Sequence, residues 1–518
     1  MSDLDLDAGV LVIGGGLAGT WTALSAATAG ASVVLVDKGY CGTSGVTATA
    51  GVSHWLVPPE DRAAAIAERR EIAGGLAEDT WMARVLEETW DRLHTLDLPF
   101  PQARDGRRPY RTIRGPEYLR AMRRLVKRAG VRILDHHPAL ELLADADGRI
   151  RGAAGIRRQA GSGRWRIRAG AVVLATGGCA FRSRLLGAHG NTGDGLLMAA
   201  EAGAELSGME LSSYYTPAPA FSSVTRSMSY LFGTYIDGAG REIDLPAGPS
   251  RTEALARALL EGPVRVRFDR MPPAIRNRMR LVQPNLMIPF DRRGIDPYTD
   301  FFEVTLRGEG TVRGVGGLRI TSGACTTTVP GLWVAGDAAA REPIAGAISG
   351  GGAQNSAWAV STGTWAGAAA AAGAVPVTDR RLRPLGRTGM RPSTSTSALD
   401  AREVALAVKD EMNPYDKNLF RTGTGLRTSL AVLDRLWSAS ADGLRGDDPV
   451  AAREAAALVA AGRWAYTSAL HRPETRGLHR RTDRPWTDPA LTARLHTGGL
   501  DRIWHRFVPV PVSAEVPA

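Results

Sequence analysis

Glycine residues near the start of the 518-residue chain have the spacing needed to bind a dinucleotide. Gly14, Gly16 and Gly19 follow the G-x-G-x-x-G pattern. This pattern permits a tight turn, a close approach of the backbone to a pyrophosphate and close packing of a helix on a strand. Leu17 and Ala18 begin the helix that the sequence predicts next, where free backbone N–H groups attract phosphate. The turn therefore predicts a phosphate-binding site between a strand and a helix.

An acidic residue follows the glycines at the distance expected of a ribose-binding carboxylate. The segment SVVLVD predicts a buried strand that ends on Asp37, so this carboxylate can accept hydrogen bonds from ribose hydroxyls. A strand, a glycine turn, a helix, a second strand and this acid together predict a Rossmann-like α/β domain. The motif alone leaves both NAD and FAD open as the ligand.

The segments that follow favour FAD. A loop of small, polar residues, 38–52, suits close backbone contact with a second, bulky ring system. Two further buried strands, AVVLATGG and GLWVAGDAA, end in glycine turns, and the second brings a carboxylate for the ribityl chain of a flavin. The cofactor-binding residues predicted from these segments are Lys38, Thr43, Ser44, Gly45, Thr49, Gly51, Ala175, Thr176, Gly177, Gly336 and Asp337.

Several longer motifs resemble the flavoprotein subunit family of succinate dehydrogenase, fumarate reductase and L-aspartate oxidase. NTGDGLLMAAEAGAEL is similar to the TGDG helix of that family, and ALHRPETRGLHRRTD is similar to its ESRG-x-H-x-R-x-D signature. GMEL, VGGLRI and TTVPGLWVAGDAA match as well, so the likeness covers most of residues 8–485. The resemblance implies an FAD-dependent oxidoreductase in which Asp194, Asn355 and Ser356 also bind the cofactor.

The resemblance also implies the fold class, which is α/β: a Rossmann-like FAD-binding domain with an inserted α+β capping domain and a C-terminal helical domain. The FAD-binding domain is expected to be discontinuous, at 1–207 and 314–376, with the capping domain at 208–313. Residues 377–397 are polar and rich in Pro, Ser, Thr and Arg, which predicts a linker. Apolar residues spaced by three and four predict helices in the C-terminal domain, 398–518.

The chain departs from the family at the residue that attaches the flavin covalently in several members. That histidine lies in the loop after the first βαβ unit, and Gly45 takes the corresponding position here. Because glycine offers no nucleophile, we expect FAD to be bound non-covalently. A covalent bond raises the flavin potential in the family, so its absence makes demanding oxidations, such as that of succinate, less favourable.

Groups that bind dicarboxylates in the family are also replaced. The histidine of its H-x-x-x-G-G motif corresponds to Val312, with Arg313 beside it. The histidine of its HPT motif corresponds to Tyr215, next to Tyr214. The arginine of its R-L-G-G-N-S stretch corresponds to Gly351. These replacements argue against succinate, fumarate and aspartate as substrates and favour a metabolite of specialised metabolism.

The proton-handling arginine of fumarate reductases, at the start of a capping-domain helix, corresponds to Arg251. Its Thr–Glu partner pair corresponds to Thr225 and Arg226, and replacing Glu by Arg removes a relay base but adds an anion-binding group. We expect Arg251 or Tyr215 to handle the proton. Arginines 226, 251, 313 and 319 favour a carboxylate or another anionic group on the substrate. The catalytic candidates are Arg251, Tyr215, Tyr214, Arg313, Thr225 and Arg226.

These candidates also have purely structural interpretations. Arg251 is equally typical of a residue that caps or pairs on a surface helix, and Arg313 of a residue on a surface strand. Tyr214 and Tyr215 also suit core aromatic residues with satisfied hydroxyl groups.

The composition of the chain indicates which kinds of partner are expected and which are not. The net charge is +11, but the densest basic stretch, 104–132, has few of the aromatic residues that stack on bases, so we expect no nucleic acid. An anionic substrate or an acidic protein fits the charge. Three widely spaced cysteines predict no disulfide framework, metal site or iron–sulfur cluster within the chain. An acidic start without signal-peptide features predicts a cytoplasmic protein with no membrane partner.

The sequence thus predicts an oxidase-like FAD-dependent dehydrogenase. It would dehydrogenate a carboxylate-bearing or other anionic small molecule at a C–C or C–N bond and pass a hydride to flavin N5. Dioxygen or an electron-acceptor protein would reoxidise the flavin. Three alternatives remain: a flavoprotein subunit that needs a separate iron–sulfur protein, a fumarate-reductase-like reductase, and a non-catalytic FAD-binding protein.

Overall fold

The computed structural model describes residues 3–102, 106, 108–159, 163–225, 227–248, 250–378, 381–390, 398–441, 443–446 and 448–511. The strands in these residues are β1 (Leu4–Ile13), β2 (Val33–Val36), β3 (Gly51–Ser53), β4 (Thr112–Arg114), β5 (Arg132–Leu134), β6 (Ala139–Ala144), β7 (Ile150–Ile156), β8 (Arg164–Leu174), β9 (Leu206–Ser207), β10 (Tyr215–Pro219), β11 (Thr234–Ile236), β12 (Glu242–Ile243), β13 (Val264–Arg267), β14 (Phe302–Gly308), β15 (Gly317–Leu318), β16 (Leu332–Val334), β17 (Arg383–Pro384), β18 (Ala493–Gly498) and β19 (Trp504–Pro509).

The α-helices in the same residues are α1 (Leu17–Thr28), α2 (Arg62–Ile72), α3 (Asp79–Thr95), α4 (Gly115–Arg128), α5 (Asp194–Glu201), α6 (Ser250–Glu261), α7 (Pro273–Arg276), α8 (Met279–Val282), α9 (Pro284–Asp291), α10 (Gly310–Arg313), α11 (Glu342–Ala345), α12 (Gly351–Ala372), α13 (Ala401–Met412), α14 (Tyr415–Asn418), α15 (Gly423–Ser440) and α16 (Pro449–His471). Short 3-10 turns are Val46–Thr49, Pro59–Asp61, Met209–Leu211, Met228–Phe232, Gly336–Ala338 and Pro489–Leu491.

The main sheet brings four strand ends to one edge. Its order is β17-β6-β7-β8-β1-β2-β5, and β16 pairs with β8. Strands β1, β2, β8 and β16 are parallel, and their pairing places Ile13, Val36, Leu174 and Val334 level with one another. These four residues are buried, as is typical of parallel strands with both faces covered. The residues that follow them therefore lie side by side at the carboxyl edge of the sheet.

Helix α12 packs closely along α1 on one face of this sheet. A Cβ atom added at Gly363 would lie 2.7 Å from the Ala18 carbonyl oxygen, and one at Gly367 would lie 2.3 Å from the Thr22 carbonyl oxygen. Only glycine allows the two helices to approach this far. The packing fixes the start of α12 beside the edge at which the parallel strands end.

A second, antiparallel sheet lies in the segment between β9 and β15. Its order is β10-β14-β13-β11-β12, and it packs with α6 and α9 around a separate core of aromatic residues that includes Tyr230, Phe268, Phe290 and Phe302. Asn285 of α9 reaches the main body, where its amide donates to the Thr49 carbonyl oxygen at 3.2 Å. This α+β unit, the Rossmann-like sheet and the C-terminal helices confirm the predicted fold class.

The C-terminal region contains the predicted helices and also strands that the sequence does not predict. Helices α13 and α15 cover the stretches with helical spacing. In addition, β18 and β19 form a hairpin that pairs with β9. β17, within the predicted linker, pairs with β6, while linker residues 379, 380 and 391–397 lie outside the described residues. Searching the described residues for a helix with the length and hydrophobicity to cross a bilayer gives none.

Candidate active site

A cavity of about 1000 Å³ lies at the carboxyl edge of the main sheet. Gly14, Asp37, Ala175 and Gly336 line it, and each stands just beyond the end of one of the four parallel strands. The cavity continues under the α+β unit, where residues from 283 to 286 form part of its wall. One space thus connects the predicted dinucleotide site with the region facing the second sheet.

Most of the predicted cofactor residues line this cavity. They are Gly14, Gly16, Leu17, Ala18, Asp37, Lys38, Ser44, Gly45, Thr49, Gly51, Ala175, Thr176, Gly177, Asp194, Gly336, Asp337, Asn355 and Ser356. Gly19 and Thr43 are not among the lining residues of the described chain. Gly19 instead allows close packing, because a Cβ there would lie 1.7 Å from the Gly14 carbonyl oxygen. Thr43 is exposed to solvent.

The Asp37 carboxylate is fixed by three donors at the wall of the cavity. One oxygen accepts from the Gly15 backbone N–H at 2.5 Å. The other accepts from the Gly39 N–H and the Ser44 hydroxyl, each at 2.7 Å. The side chain is buried. It therefore presents a preorganised carboxylate beside the glycine turn, where a ribose hydroxyl can donate to it.

The donors and the shape of the cavity fit FAD. The buried Asn355 Oδ1 has no hydrogen-bond partner in the described part of the chain, as is expected of a polar group whose partner belongs to a ligand. Gly16, Gly45 and Gly51 face open space, since no described atom lies within 4 Å of a Cβ added at any of them. The site thus offers phosphate-binding amides, a ribose acceptor and room for a flat ring system.

Lys38 connects the cavity to the C-terminal helix α16. Its ammonium donates to Asp194 at 2.6 Å and to Glu454 of α16 at 2.7 Å. Arg182 donates to the other Glu454 oxygen. Burial lowers the pKa of Lys38, but the two carboxylates outweigh it and raise that pKa above the ordinary value. Lys38 therefore stays charged at neutral pH and holds α5 and α16 against the cofactor region.

Arg313 brings a positive charge to the other part of the cavity. Its Nη1 donates to the Tyr214 hydroxyl at 3.4 Å, and its Nη2 lies 3.4 Å from a Cβ added at Gly352. Arg313, Gly352 and the buried Thr225 all line the cavity. Burial lowers the pKa of Arg313, yet Glu309 and Tyr214 raise it overall. The site can therefore receive an anionic group beside the start of α12.

The buried Arg341 side chain fixes the backbone of α10, the short helix that contains Arg313. Its Nη1 donates to the Asp337 carboxylate at 2.6 Å. Its Nη2 donates to the carbonyl oxygens of Thr311, Val312 and Gly314. This one side chain connects α10 to the end of β16, so the predicted flavin-binding carboxylate and Arg313, which lines the cavity, are held in a fixed relation.

Two of the predicted catalytic side chains are directed elsewhere. The Tyr215 hydroxyl donates to the Asn413 carbonyl oxygen at 3.0 Å, and burial raises its pKa. Arg251 donates to the carbonyl oxygens of Leu245 and Tyr230 and lies over the Tyr235 ring. Neither residue belongs to the described lining of the cavity, and Tyr214 is connected to that lining through its contact with Arg313. Tyr215 and Arg251, from which proton transfer was expected, are thus engaged in packing within the α+β unit and against α14.

Of the two remaining arginines singled out in the sequence, Arg319 is not among the described residues that line the cavity. Arg319 forms an ion pair with Glu205 at 2.6 Å. Arg226 lies outside the described residues. Of the four arginines on which the expected anionic preference was based, Arg313 is thus the one that the described structure places in the cavity lining, where residues that the sequence did not single out accompany it.

Those additional residues follow β8. Arg182 and Arg184 line the cavity, and both have left-handed backbone angles, with φ of 52° and 65°, which are uncommon for residues other than glycine. The sequence signal that could have identified these two arginines is the segment FRSR, which follows the glycines Gly177 and Gly178 at the end of the strand. Glu309, which lies behind Arg313, gave no sequence signal, because a lone glutamate beside a glycine is typical of a surface turn.

Comparison with known proteins agrees with this site. Residues 9–221 match the model of the FAD binding domain family. The chain is 26% identical to L-aspartate oxidase of Streptomyces coelicolor over 372 residues, 64% of this chain and 63% of the relative. It is 27% identical to a probable fumarate reductase of Shewanella frigidimarina over 234 residues, 39% of this chain and 40% of the relative. The matches thus span less than two thirds of these curated relatives.

The fold matches a solved structure along almost its whole length. E. coli quinol fumarate reductase FrdA superposes with a TM-score of 0.81, 19% identity and coverage of 99% of this chain and 98% of that chain. The sequence matches reach beyond the FAD binding domain itself. The chain therefore contains an FAD binding domain over residues 9–221, and its relatives include L-aspartate oxidase and a probable fumarate reductase.

Proposed function

We propose that the chain is an FAD-dependent oxidoreductase that dehydrogenates a small anionic molecule at a C–C or C–N bond. One atom of that bond loses a hydride and the other loses a proton, which leaves a double bond. The observation that carries this proposal is the cavity that joins the dinucleotide-binding strand ends to Arg313. A cofactor and an anion-binding side chain share one space, as hydride transfer between a cofactor and a bound substrate requires.

FAD would be held without a covalent bond. The turn from Gly14 to Gly19 would bind the pyrophosphate, Asp37 the ribose and Asp337 the ribityl chain, with Asn355 and Ser356 at the ring system. Gly45 supplies no nucleophile. When bound, FAD supplies the hydride acceptor, and dioxygen or an electron-acceptor protein reoxidises it.

Arg313 would bind the anionic group of the substrate. A guanidinium presents a fork of N–H donors that suits a carboxylate, and the absence of side chains at Gly351 and Gly352 leaves room in front of it. Thr225 would contact the substrate from the capping segment, 208–313. This space replaces the dicarboxylate-binding groups of the family, which supports a substrate larger than a simple dicarboxylate.

Tyr214 is our preferred group for the proton. Its hydroxyl accepts a hydrogen bond from Arg313, which lines the cavity. Tyr215 and Arg251, the other candidates, have their polar atoms bonded to backbone carbonyl oxygens.

An anaerobic screen tests the proposal. Purified protein would be mixed with a panel of carboxylates, amino acids and amines while the flavin absorption near 450 nm, a general property of oxidised flavins, is followed. We expect bleaching by an anionic substrate and recovery on admitting air.

Arg313→Gln should raise KM by about 10–100-fold, as for loss of a charged hydrogen bond, whereas the exposed Arg278→Gln should match the parent protein.

Other outcomes would point to the alternatives. Bleaching without recovery in air would favour a subunit that needs an electron-acceptor protein. Turnover only with reduced flavin and an unsaturated acid would favour a reductase. A flavin that no substrate class bleaches or oxidises would contradict the proposal and favour a non-catalytic FAD-binding protein.

A further inference from the structure

We propose that Glu309 is a positioning residue that holds the Arg313 guanidinium in the orientation needed to bind the anionic end of the substrate. The inference rests on the proposed function, because it concerns the same cavity. It adds a residue outside the family's motifs and explains how an arginine replaces the missing dicarboxylate-binding groups.

Glu309 is a fully buried carboxylate directly before α10. Its relative exposure is 0%. One oxygen accepts from the Thr216 hydroxyl at 2.7 Å, and its backbone N–H donates to the Tyr214 carbonyl oxygen at 2.8 Å. These bonds fix both its side chain and its main chain between β10 and α10. A buried carboxylate is costly unless it is paired, so a nearby cation is expected.

Arg313 is the nearby cation. The second Glu309 oxygen lies 3.9 Å from the Arg313 Nε, four residues later and across one helical turn. This distance is too long for a strong hydrogen bond but short enough for ionic attraction. The carboxylate therefore holds the guanidinium from its inner side, at the Nε atom.

The outer side of the guanidinium faces the cavity. Nη1 reaches the Tyr214 hydroxyl and Nη2 is directed at Gly352. Because Glu309 attracts the guanidinium at Nε, the N–H groups on Nη1 and Nη2 that do not contact Tyr214 can form a fork toward a bound carboxylate. If Glu309 instead formed a salt bridge with Nη1 and Nη2 of Arg313, these N–H groups would not be free to bind a carboxylate in the cavity.

Two further charges lie near Arg313. The Arg341 cation lies on the side of β16 and is paired with Asp337 at 2.6 Å. Of the two nearby carboxylates, Glu309 raises the pKa of Arg313 more than Asp337 does. Loss of the Glu309 charge should therefore both loosen Arg313 and weaken its preference for anions.

The test measures anion binding to the FAD-containing protein by the change in the flavin spectrum, with malonate and acetate as probes. Glu309→Gln removes the charge and keeps the shape, and Glu309→Asp keeps the charge but withdraws it by one methylene. Glu303→Gln, an exposed glutamate of β14, is the matched control. We expect malonate affinity to fall about tenfold in Glu309→Gln and about threefold in Glu309→Asp. FAD content should stay unchanged.

The possible results separate this inference from the proposed function. If the parent protein binds neither probe, the anionic substrate site itself is contradicted. If the parent binds them and Glu309→Gln binds as tightly as Glu303→Gln, the inference about Glu309 alone is overturned. Should Glu309→Gln fail to fold, Glu309→Asp decides, and parent-like malonate affinity in that variant overturns the inference. With a substrate in hand, Glu309→Gln should raise KM and leave kcat nearly unchanged.

Discussion

At the scale of single residues, the site is built from polar groups whose orientation is already fixed. Asp37 receives three hydrogen bonds from its own loop and from the glycine turn. These bonds hold its carboxylate at the cavity wall. A side chain that needs no reorganisation loses little entropy when the ligand arrives, so its contribution to affinity should be large.

We expect Asp37→Asn to weaken FAD binding by about 10–100-fold, or about 1.5–3 kcal/mol, because an amide replaces a charged acceptor. The dissociation constant of the reconstituted apoprotein, followed by quenching of flavin fluorescence, would measure the change. Asp61→Asn, at an exposed aspartate, serves as the control. Equal affinity in the two variants would show that Asp37 does not bind the ribose.

Gly45 leads to a second prediction at this scale. Its φ is +81° and a Cβ there would face open space, so the residue lines the cavity without a side chain. Acid precipitation should therefore release the flavin into the supernatant, where its absorption spectrum is measured. A yellow pellet would mean that another residue forms a covalent bond to the flavin.

Residue-level predictions from the sequence succeed where a motif fixes the backbone and fail where packing decides. The glycine turn and Asp37 stand at strand ends, so their placement follows from the sheet. The directions of Tyr215 and Arg251 depend on Asn413, Tyr230 and Leu245, which lie far from them in the sequence or in other turns. No local pattern contains that information.

At the scale of secondary-structure elements, the cavity depends on how closely helices and strands approach. The level ends of the parallel strands create its floor, and α12 closes one side. The periodicity of apolar residues is sufficient to predict α4, α13 and α15. The two residues of β17 and the β18–β19 hairpin carry no such periodicity, and β17 and β18 pair with strands distant in sequence, β6 and β9.

Gly367 provides a test of the contact between α12 and α1. An alanine there would place Cβ 2.3 Å from the Thr22 carbonyl oxygen, so the helices must separate. We expect Gly367→Ala to lower the free energy of unfolding by about 1–3 kcal/mol, measured as a lower urea midpoint. Gly262→Ala, where a Cβ meets no described atom within 4 Å, should leave the midpoint nearly unchanged. Similar midpoints would contradict the close packing.

At the scale of the whole molecule, ionic contacts join parts of the chain that are distant in sequence. Lys38 links the first βαβ unit to α16. A second cluster joins β9 and α11 to the C-terminal segments: Glu210 and Glu474 pair with Arg472, and Glu342 accepts a hydrogen bond from Ser207. The sequence motifs include Arg472 and Glu474, but only the fold shows that they meet Glu342.

Glu342 should make the stability of this junction depend on pH. Burial and the nearby Glu210 raise its pKa from 4.5 to about 7, and its Oε1 has no hydrogen-bond partner among the described residues. The folded state therefore binds a proton that the unfolded chain releases near pH 4.5. The resulting stabilisation is complete below pH 4.5 and is lost as the pH rises through about 7, a change of up to about 3 kcal/mol.

Glu342→Gln cannot ionise, so we expect it to be more stable than the parent protein at pH 8 and similar to it at pH 5. Thermal unfolding midpoints at pH 5, 6, 7 and 8 would reveal the difference. The exposed Glu87→Gln should follow the parent at every pH. A parent and a Glu342→Gln variant with parallel pH profiles would show that this carboxyl ionises normally in the fold. A midpoint difference that grows between pH 6 and 8 would instead locate a pH-dependent contact where the FAD-binding domain meets the C-terminal segments.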